Sequence, residues 1–467
     1  MINTVIFLEE CMSNRQKQAI DMVNGPLVKN IWKFAVPLML TNFLQMLFNA
    51  ADTVIVGRFA GQRALAAVGA TGSLCFLLIS MFNGLSIGSN VLIARYLGAK
   101  EEESIEKAVH TAITMAVISG VILMVLGFFL SKPMLQMMST PADIIDLSEL
   151  YMRIYFMSSL FGLIYNFGAS ILRAKGDTKR PLYFLGISGV TNVVLNMVFV
   201  IVFDWSVAGV AIATVISQAM SAIMVCMTLI KEKDATHLDI KKLGVNGSMA
   251  WNIIKIGVPA GIQGMVFSLS NVVVQSSINS FDSSVIVAGN SAAANIESFV
   301  YIGVMAFTQA CITFTSQNIG AKNYGRIKQI FNVTMLMTIV ASGSIGCIVW
   351  YFGETFLGFY ASEALVIEAG MIRMSWVGLF LVINGILDVF VASMRGMGYS
   401  TLPTMVMVGG ICGVRLAWLW VVFPMFRELS VIYMCFPISW TITSIIQAFF
   451  WKFCLNKTMK TAESASL

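Results

Sequence analysis

Asp52 stands in the stretch NFLQMLFNAADTVIVGRFAG (residues 42–61), close to the end of a run that otherwise reads as a membrane-crossing helix. A carboxylate at that depth costs about 2.5–3.5 kcal/mol even on the most forgiving insertion scale, so an acid placed there has to find a partner or a task. Asn42, Gln45, Asn49 and Asp52 are spaced 3, 4 and 3. At 100° per residue that spacing puts all four on one narrow helix face, which must look at other helices or at a wet cavity rather than at lipid.

Neighbouring apolar runs repeat the pattern with uncharged groups: Asn83, Ser86 and Asn90, then Asn192 and Asn196, then Thr214, Gln218 and Ser221. Any one of them can be read as interhelical glue, worth about 0.6 kcal/mol; the set, converging from four helices, reads as a site. Removing a carboxylate from water without a counter-charge favours its protonated form, which is what a proton-coupling group needs. Bathing by water at the outer end of the helix is the competing reading for Asp52.

The elements that carry these residues follow from composition. The chain has 467 residues, 57% of them hydrophobic and 12% charged, with a mean hydropathy of +0.81. Such a chain is a polytopic membrane protein, all-α. Apolar runs long enough to span can be placed near 31–56, 64–94, 108–130, 151–172, 181–203, 207–230, 252–278, 285–315, 330–352, 371–394, 402–424 and 430–452. One fixed offset of 222 positions maps KFAVPLML (33–40) onto KIGVPAGI (255–262), Asn49 onto Asn271, LGAK (97–100) onto IGAK (319–322) and RAKGDTKRP (173–181) onto RGMGYSTLP (395–403).

Two homologous halves of six helices are therefore expected, related by a pseudo-twofold axis along the membrane normal. The expected divisions are an N-terminal segment 1–30, an N-lobe 31–230, a linker 231–251, a C-lobe 252–455 and a tail 456–467. Lysines and arginines crowd the loops on the side of the termini, among them Arg15, Lys17, Lys29 and Lys33 near the start, Lys175, Lys179 and Arg180, and Lys231–Lys242 in the linker. The other side keeps few, such as Arg58, Arg63 and Arg373. That bias places both termini in the cytoplasm of a cell membrane. The first 24 residues, with Glu9, Glu10 and Asp21, make a poor signal peptide.

In the second half Glu297 and Asp388 are the acids inside apolar runs and Arg415 is the cation at mid-span, so an ion pair of Arg415 with one of the two is expected. Pro37 and Pro259, at equivalent places in the two halves, allow helix bending. Gly84, Gly88, Gly409, Gly410 and Gly413 allow close helix approach. Eight cysteines without a CxxC and two distant histidines give no metal or disulfide framework. No basic, aromatic-interleaved patch invites nucleic acid, and no nucleotide motif of the GxxxxGK[ST] or GxGxxG type indicates ATP. The expected partners are a small organic compound and the lipid bilayer, with the chain acting as a monomer and without a cofactor.

NGPLVKNIWKFAVPLML, AADTVIVGRFAG, ALAAVGATG, GLSIGSNVLIARYLGA and ILRAKGDTKRPLY, with QNIGAKNYGRIKQ and ASMRGMGYSTLP in the second half, resemble the multidrug and toxic compound extrusion (MATE) family over about residues 24–455. The resemblance is nearest the branch of the DNA-damage-inducible protein F. It implies a cation-driven antiporter that expels organic, often cationic and amphipathic compounds by alternating access. It also implies that Asp52 binds the coupling ion among Asn192, Asn196 and Thr214; the polar faces themselves make Asn42, Gln45, Asn49, Asn83, Asn90 and Gln218 the expected lining of the cavity. Asn196 stands where some members have Asp, which leaves one carboxylate of a pair. A sodium-coupled branch uses acids at the positions of Phe267 and Asn384, so H+ is the favoured coupling ion here and Na+ the alternative. A lipid-linked oligosaccharide flippase of the same superfamily is the second reading. A membrane-embedded transferase is the third, and it lacks the DDxxD-type acids that its chemistry needs.

Overall fold

The computed structural model describes residues 20–464 apart from 139, and of 462–464 the backbone alone. The expected N-terminal segment up to residue 19, with Cys11, Arg15 and Lys17, and the end of the tail lie outside the described residues. Among the described residues every regular element is helical. Twelve helices are long and apolar enough to cross a membrane. They are α1 Leu27–Ala60, α2 Gln62–Ala99, α3 Glu102–Met137, α4 Ile145–Lys175, α5 Lys179–Val202, α6 Ser206–Lys231, α7 Gly247–Asn279, α8 Ser284–Gly320, α9 Tyr324–Tyr351, α10 Ala364–Gly396, α11 Thr401–Val421 and α12 Leu429–Thr461.

Most helices outrun the apolar segments legible in the sequence, because their charged ends continue the backbone hydrogen bonding past the hydrocarbon. α10 is the instructive case: it starts at Ala364 rather than near 371, so Arg373, counted from the sequence with the outer-side cations at the edge of its run, stands more than two turns inside the helix.

α1–α6 form one lobe and α7–α12 the other. Tight turns end the helices at the terminus-bearing side: Gly176 and Gly398, at equivalent places after α4 and α10, take φ of 95° and 96°, a region glycine enters without strain. The connection between lobes is strapped to the N-lobe. Glu232 pairs with Lys175 and, at 2.5 Å, with Arg180; the Asp239 amide donates to His110 Nε2 at 3.0 Å; Lys242 meets Glu106 at 2.8 Å.

The lobes touch along α1/α2 and α7/α8, and the contact is built on missing side chains. A Cβ on Gly84 would lie 2.3 Å from the Gly261 nitrogen, and one on Gly88 would lie 2.3 Å from the Ile253 carbonyl oxygen, so α2 and α7 meet backbone to backbone. Nearer the termini, Gly98 abuts Gln317 and Gly320 abuts Arg95 with the same intimacy. Of the other glycines singled out, Gly410 faces Thr443, while Gly409 and Gly413 face open space.

Polar bonds complete the seam. Gln317 Nε2 donates to the Ala174 carbonyl at 2.7 Å, Arg95 Nη2 to the Met397 carbonyl at 3.0 Å, and Asn318 Nδ2 to the Met22 carbonyl at 3.0 Å. Three turns further from the termini the contact is gone: Val272, in line with Gly261 on α7, is 56% exposed, and Ser73, in line with Gly84 on α2, is exposed. The molecule is thus closed at the terminus-bearing end and split by a cleft at the other.

Pro37 and Pro259 lie inside α1 and α7, with Thr41 donating to the Pro37 carbonyl at 2.7 Å and Thr404 to that of Pro259 at 3.2 Å. Both helices run on through their prolines, so the bending expected there is not a break in this state.

The seam makes a quantitative claim. Gly84→Ala overpacks a backbone contact and should destabilise this state by about 1–3 kcal/mol, whereas Gly413→Ala, into open space, should be neutral or gain from helix propensity. Thermal unfolding of the two variants in detergent measures the difference; equal midpoints would contradict the seam.

Candidate functional site

In the N-lobe the structure brings together the four residues expected around the coupling ion. Asn196 of α5, fully buried, donates from Nδ2 to Asp52 Oδ1 at 2.5 Å. The same Nδ2 lies 3.3 Å from Asn192 Oδ1, and Asn192 Nδ2 reaches Thr214 Oγ1 of α6 at 3.5 Å. A polar chain therefore runs α1–α5–α6, with Asp52 half-buried at its cleft end. Around it pack Ile55, Val56, Tyr151, Val193, Val200, Val207 and Val210, an apolar shell that lowers the local dielectric.

No Lys, Arg or His lies within ion-pair distance of Asp52 among the described residues. Asn196 Oδ1 is buried without a partner. An orphaned acceptor next to a lone carboxylate gives the pair a second arrangement: with the amide turned over, Oδ1 can accept from a protonated Asp52. The same oxygens, with Asn192 Oδ1 and Thr214 Oγ1, are also the hard donor type that Na+ takes.

Other expected site residues divide. Gln45 and Asn49 are exposed and Asn42 half-buried on the α1 face that leads from the seam to Asp52, and Gln218 is half-buried beside Gly162 of α4. Asn83 accepts from Asn166 of α4 at 2.9 Å, inside the lobe. Asn90 is corrected: it does not line the cavity but is 1% exposed in the closed seam. It donates to the Ser170 carbonyl at 2.9 Å and accepts from Thr313 of α8 at 3.0 Å, because the stripe of α2 has by that depth turned under the other lobe.

In the C-lobe the expected pairing of Arg415 is overturned. Glu297 is taken by Arg373, which holds it through Nε at 3.0 and 3.2 Å and Nη2 at 2.7 Å. Arg373 Nη1 donates to Asn290 Oδ1 at 2.7 Å, which also accepts from the Tyr433 hydroxyl at 3.1 Å. Asp388 accepts from the Tyr301 hydroxyl at 2.8 Å. Arg415, 2% exposed, is left to Ser439 Oγ at 3.3 Å and Asn271 Oδ1 at 3.4 Å, with its guanidinium 4.2 Å above the Phe436 ring.

Arg373 is the residue whose role sequence reading missed, and its signal was present: it stood just inside the run placed at 371–394, whose helix begins seven residues earlier, at Ala364.

A backbone feature ties the sites together. Stretches of π-helix occupy Val56–Ala60 just after Asp52, Val198–Val202 just after Asn196, Met374–Gly378 just after Arg373 and Val408–Gly413 just before Arg415. Each inserts a residue into the helical register and re-aims the adjoining side chains, as such turns often do at functional sites.

A twelve-helix membrane body in two lobes, closed at one end around a glycine seam and carrying a lone acid in its cleft wall, has the architecture of an alternating-access transporter. Comparison with known proteins says which. The model of the MatE family matches residues 37–198 and 259–421, one stretch in each lobe. A probable multidrug resistance protein of Bacillus subtilis, YoeA, is 30% identical over 399 residues, covering 83% of this chain and 86% of its own. The probable multidrug resistance protein NorM of Thermotoga maritima is 24% identical over 387 residues, with 81% and 82% covered. Among solved structures, an outward-facing multidrug resistance MATE transporter superposes with a TM-score of 0.88 at 18% identity, covering 96% of this chain and all of that one. The chain belongs to the MatE family, and so to the multidrug efflux transporters of the membrane rather than to the enzymes.

The buried pair can be tested on stability alone. Glu297→Gln or Arg373→Met strands a charge in the lobe and should cost about 3–5 kcal/mol, while the double variant should cost markedly less than their sum. A double-mutant cycle on unfolding in detergent reads this; strictly additive losses would contradict the pairing.

Proposed function

We propose that this protein is a cell-membrane antiporter with both termini in the cytoplasm, expelling organic, often cationic and amphipathic compounds in exchange for H+ taken up at Asp52. The observation that carries the reading is the Asp52–Asn196 contact: a carboxylate facing the cleft whose partner is a neutral amide. A fixed cation in that place would hold the acid in an ion pair, as Arg373 holds Glu297. An amide can serve either charge state, so proton gain and loss need only a turn of the side chain. With the acid charged, a cationic compound finds a counter-ion in the N-lobe wall; protonation removes it and releases the compound.

Under this orientation the cleft opens outward and the glycine seam closes the cytoplasmic side. The step to the inward-facing state must then part Gly84 and Gly88 from α7 and break the bonds of Asn90 with Thr313 and of Gln317 with the Ala174 carbonyl. The apolar contacts of Trp32 with Phe307 and of Phe34 with Phe314 across α1 and α8 must part with them, so the step exchanges one packed arrangement for another.

Proteoliposomes with an imposed pH gradient, inside and outside buffered separately, test the coupling. The parent should dissipate the gradient when a transported organic cation is added. Asp52→Asn should insert and fold normally yet give no substrate-dependent proton flux. Asn196→Leu, which keeps the acid but removes the amide, should slow the flux about tenfold or more through the lost charge-assisted hydrogen bond. Substrate-driven flux at the parent rate in Asp52→Asn, or a flux that follows a sodium gradient instead, would contradict the reading.

A further inference from the structure

We infer that the C-lobe wall of the cleft carries an oxyanion subsite, built on Arg415, that receives the carboxylate of a transported compound. The inference deepens the efflux reading and rests on it. The acid-bearing N-lobe wall would hold the cationic part of a zwitterionic amphiphile and the C-lobe wall its carboxylate.

The first observation is a charge without a counter-charge. Arg373 and Arg415 both stand over the Phe436 ring, with guanidinium carbons 5.6 and 4.2 Å from its centroid. One carboxylate, Glu297, serves the two, and it is bidentate to Arg373. Arg415 is left with one surplus positive charge, two long hydrogen bonds and the faces of Phe436 and Trp440. A guanidinium has five N–H donors, and no hydrogen-bond partner of its Nη2 is found among the described residues. A buried charge kept without a partner is a debt that packing alone does not explain.

The second observation is where this occurs. Shifted by the repeat offset, Asn49 falls on Asn271, Thr214 on Phe436, Ser217 on Ser439 and Gln218 on Trp440, and Arg415 stands opposite Val193, the neighbour of Asn192. α5 and α11 begin 222 positions apart, at Lys179 and Thr401, so the offset holds through this region. The Arg415 cluster on α7, α11 and α12 is therefore the C-lobe counterpart of the Asp52 cluster on α1, α5 and α6, displaced by about one helical turn. In the first lobe the α1–α5 bond joins an acid to an amide; in the second the α7–α11 bond joins an amide to a base. The duplicated frame has been given opposite polarity in its two halves.

The third observation is access. Asn271, the group against which Arg415 Nη1 ends, is exposed on α7, the helix whose outer half borders the cleft. Its 3.4 Å bond to Arg415 is weak enough to be exchanged for a carboxylate, which would gain a short charge-assisted pair in its place. The aromatic faces hold the guanidinium plane ready for a planar oxyanion and keep its cost of ordering low.

The test is equilibrium binding to the purified full-length protein in neutral detergent. Fluorescence polarisation is read with a cationic xanthene dye that bears a free carboxylate and with the ethyl ester of the same dye. Arg415→Met should weaken the carboxylate dye by about ten- to a hundredfold and leave the ester unchanged. Arg415→Lys should recover part of the loss. Asn271→Asp, an exposed position that tolerates the change, should also weaken the carboxylate dye selectively, because it supplies the guanidinium with a carboxylate of its own. Equal effects on acid and ester, or none in Asn271→Asp, would overturn the subsite and leave efflux of the ester standing. Displacement of the carboxylate dye by phosphatidylglycerol but not by a short-chain carboxylate would assign the charge to lipid phosphate and likewise overturn it. Failure of the parent to bind the ester would instead strike at the efflux reading itself.

Discussion

Charge inside hydrocarbon is the constraint on which this molecule turns. Each buried ionisable side chain must be paired, shared or used, and the chain adopts a different solution for each. Glu297 is neutralised by a bidentate arginine, which fixes α8 to α10. Asp388 leans on a tyrosine hydroxyl. Asp52 has a single neutral amide, and Arg415 has an amide, a serine and two aromatic faces. The first arrangement is structural because it cannot change state cheaply. The last two can: Asp52 lies on α1, which borders the cleft, and Arg415 reaches α7, which also borders it, through Asn271.

The scaffold keeps those two groups movable without loosening the lobes. Within each lobe, large apolar side chains interlock, as at Phe156 of α4 against Gly127 of α3 or Phe331 stacked on Trp451 between α9 and α12. Between lobes at α2 and α7 the contact is glycine on backbone, held by dispersion and a few hydrogen bonds, and at α1 and α8 it is apolar, with Phe34 against Phe314 and Trp32 against Phe307. Rigid lobes that meet along a close-packed seam have two stable packings rather than a continuum. A ligand that favours one can then shift the whole body.

Much of this was legible in the sequence, and for identifiable reasons. Hydropathy and length gave the twelve helices of the described residues, because backbone satisfaction in lipid leaves helices or closed barrels and apolar runs of about 20 residues fit only the helix. The repeat offset gave the two lobes, and the 3–4–3 spacing gave the face that carries Asp52 to Asn196. What could not be read was partner choice. Arg415 was expected to take an acid because it was the sole cation visible at mid-span. Arg373, at the edge of its run, was counted with the outer-side cations, and it claimed Glu297 first. Asn90 shared its stripe with Asn83, but depth along the helix, which no periodicity encodes, put it under the opposite lobe. The π-helical turns left no mark in the residue pattern at all, since they answer to tertiary packing.

The central claim is that Asp52 exchanges a proton in step with opening and closing of the cleft. Infrared difference spectroscopy of the protein in lipid, stepped across neutral pH, addresses it directly. The account requires a protonated carboxyl stretch that grows as pH falls, vanishes in Asp52→Asn and shifts when the Asn196 amide is isotopically labelled or replaced. A spectrum in which Asp52→Asn leaves every titrating carboxyl band in place would contradict it.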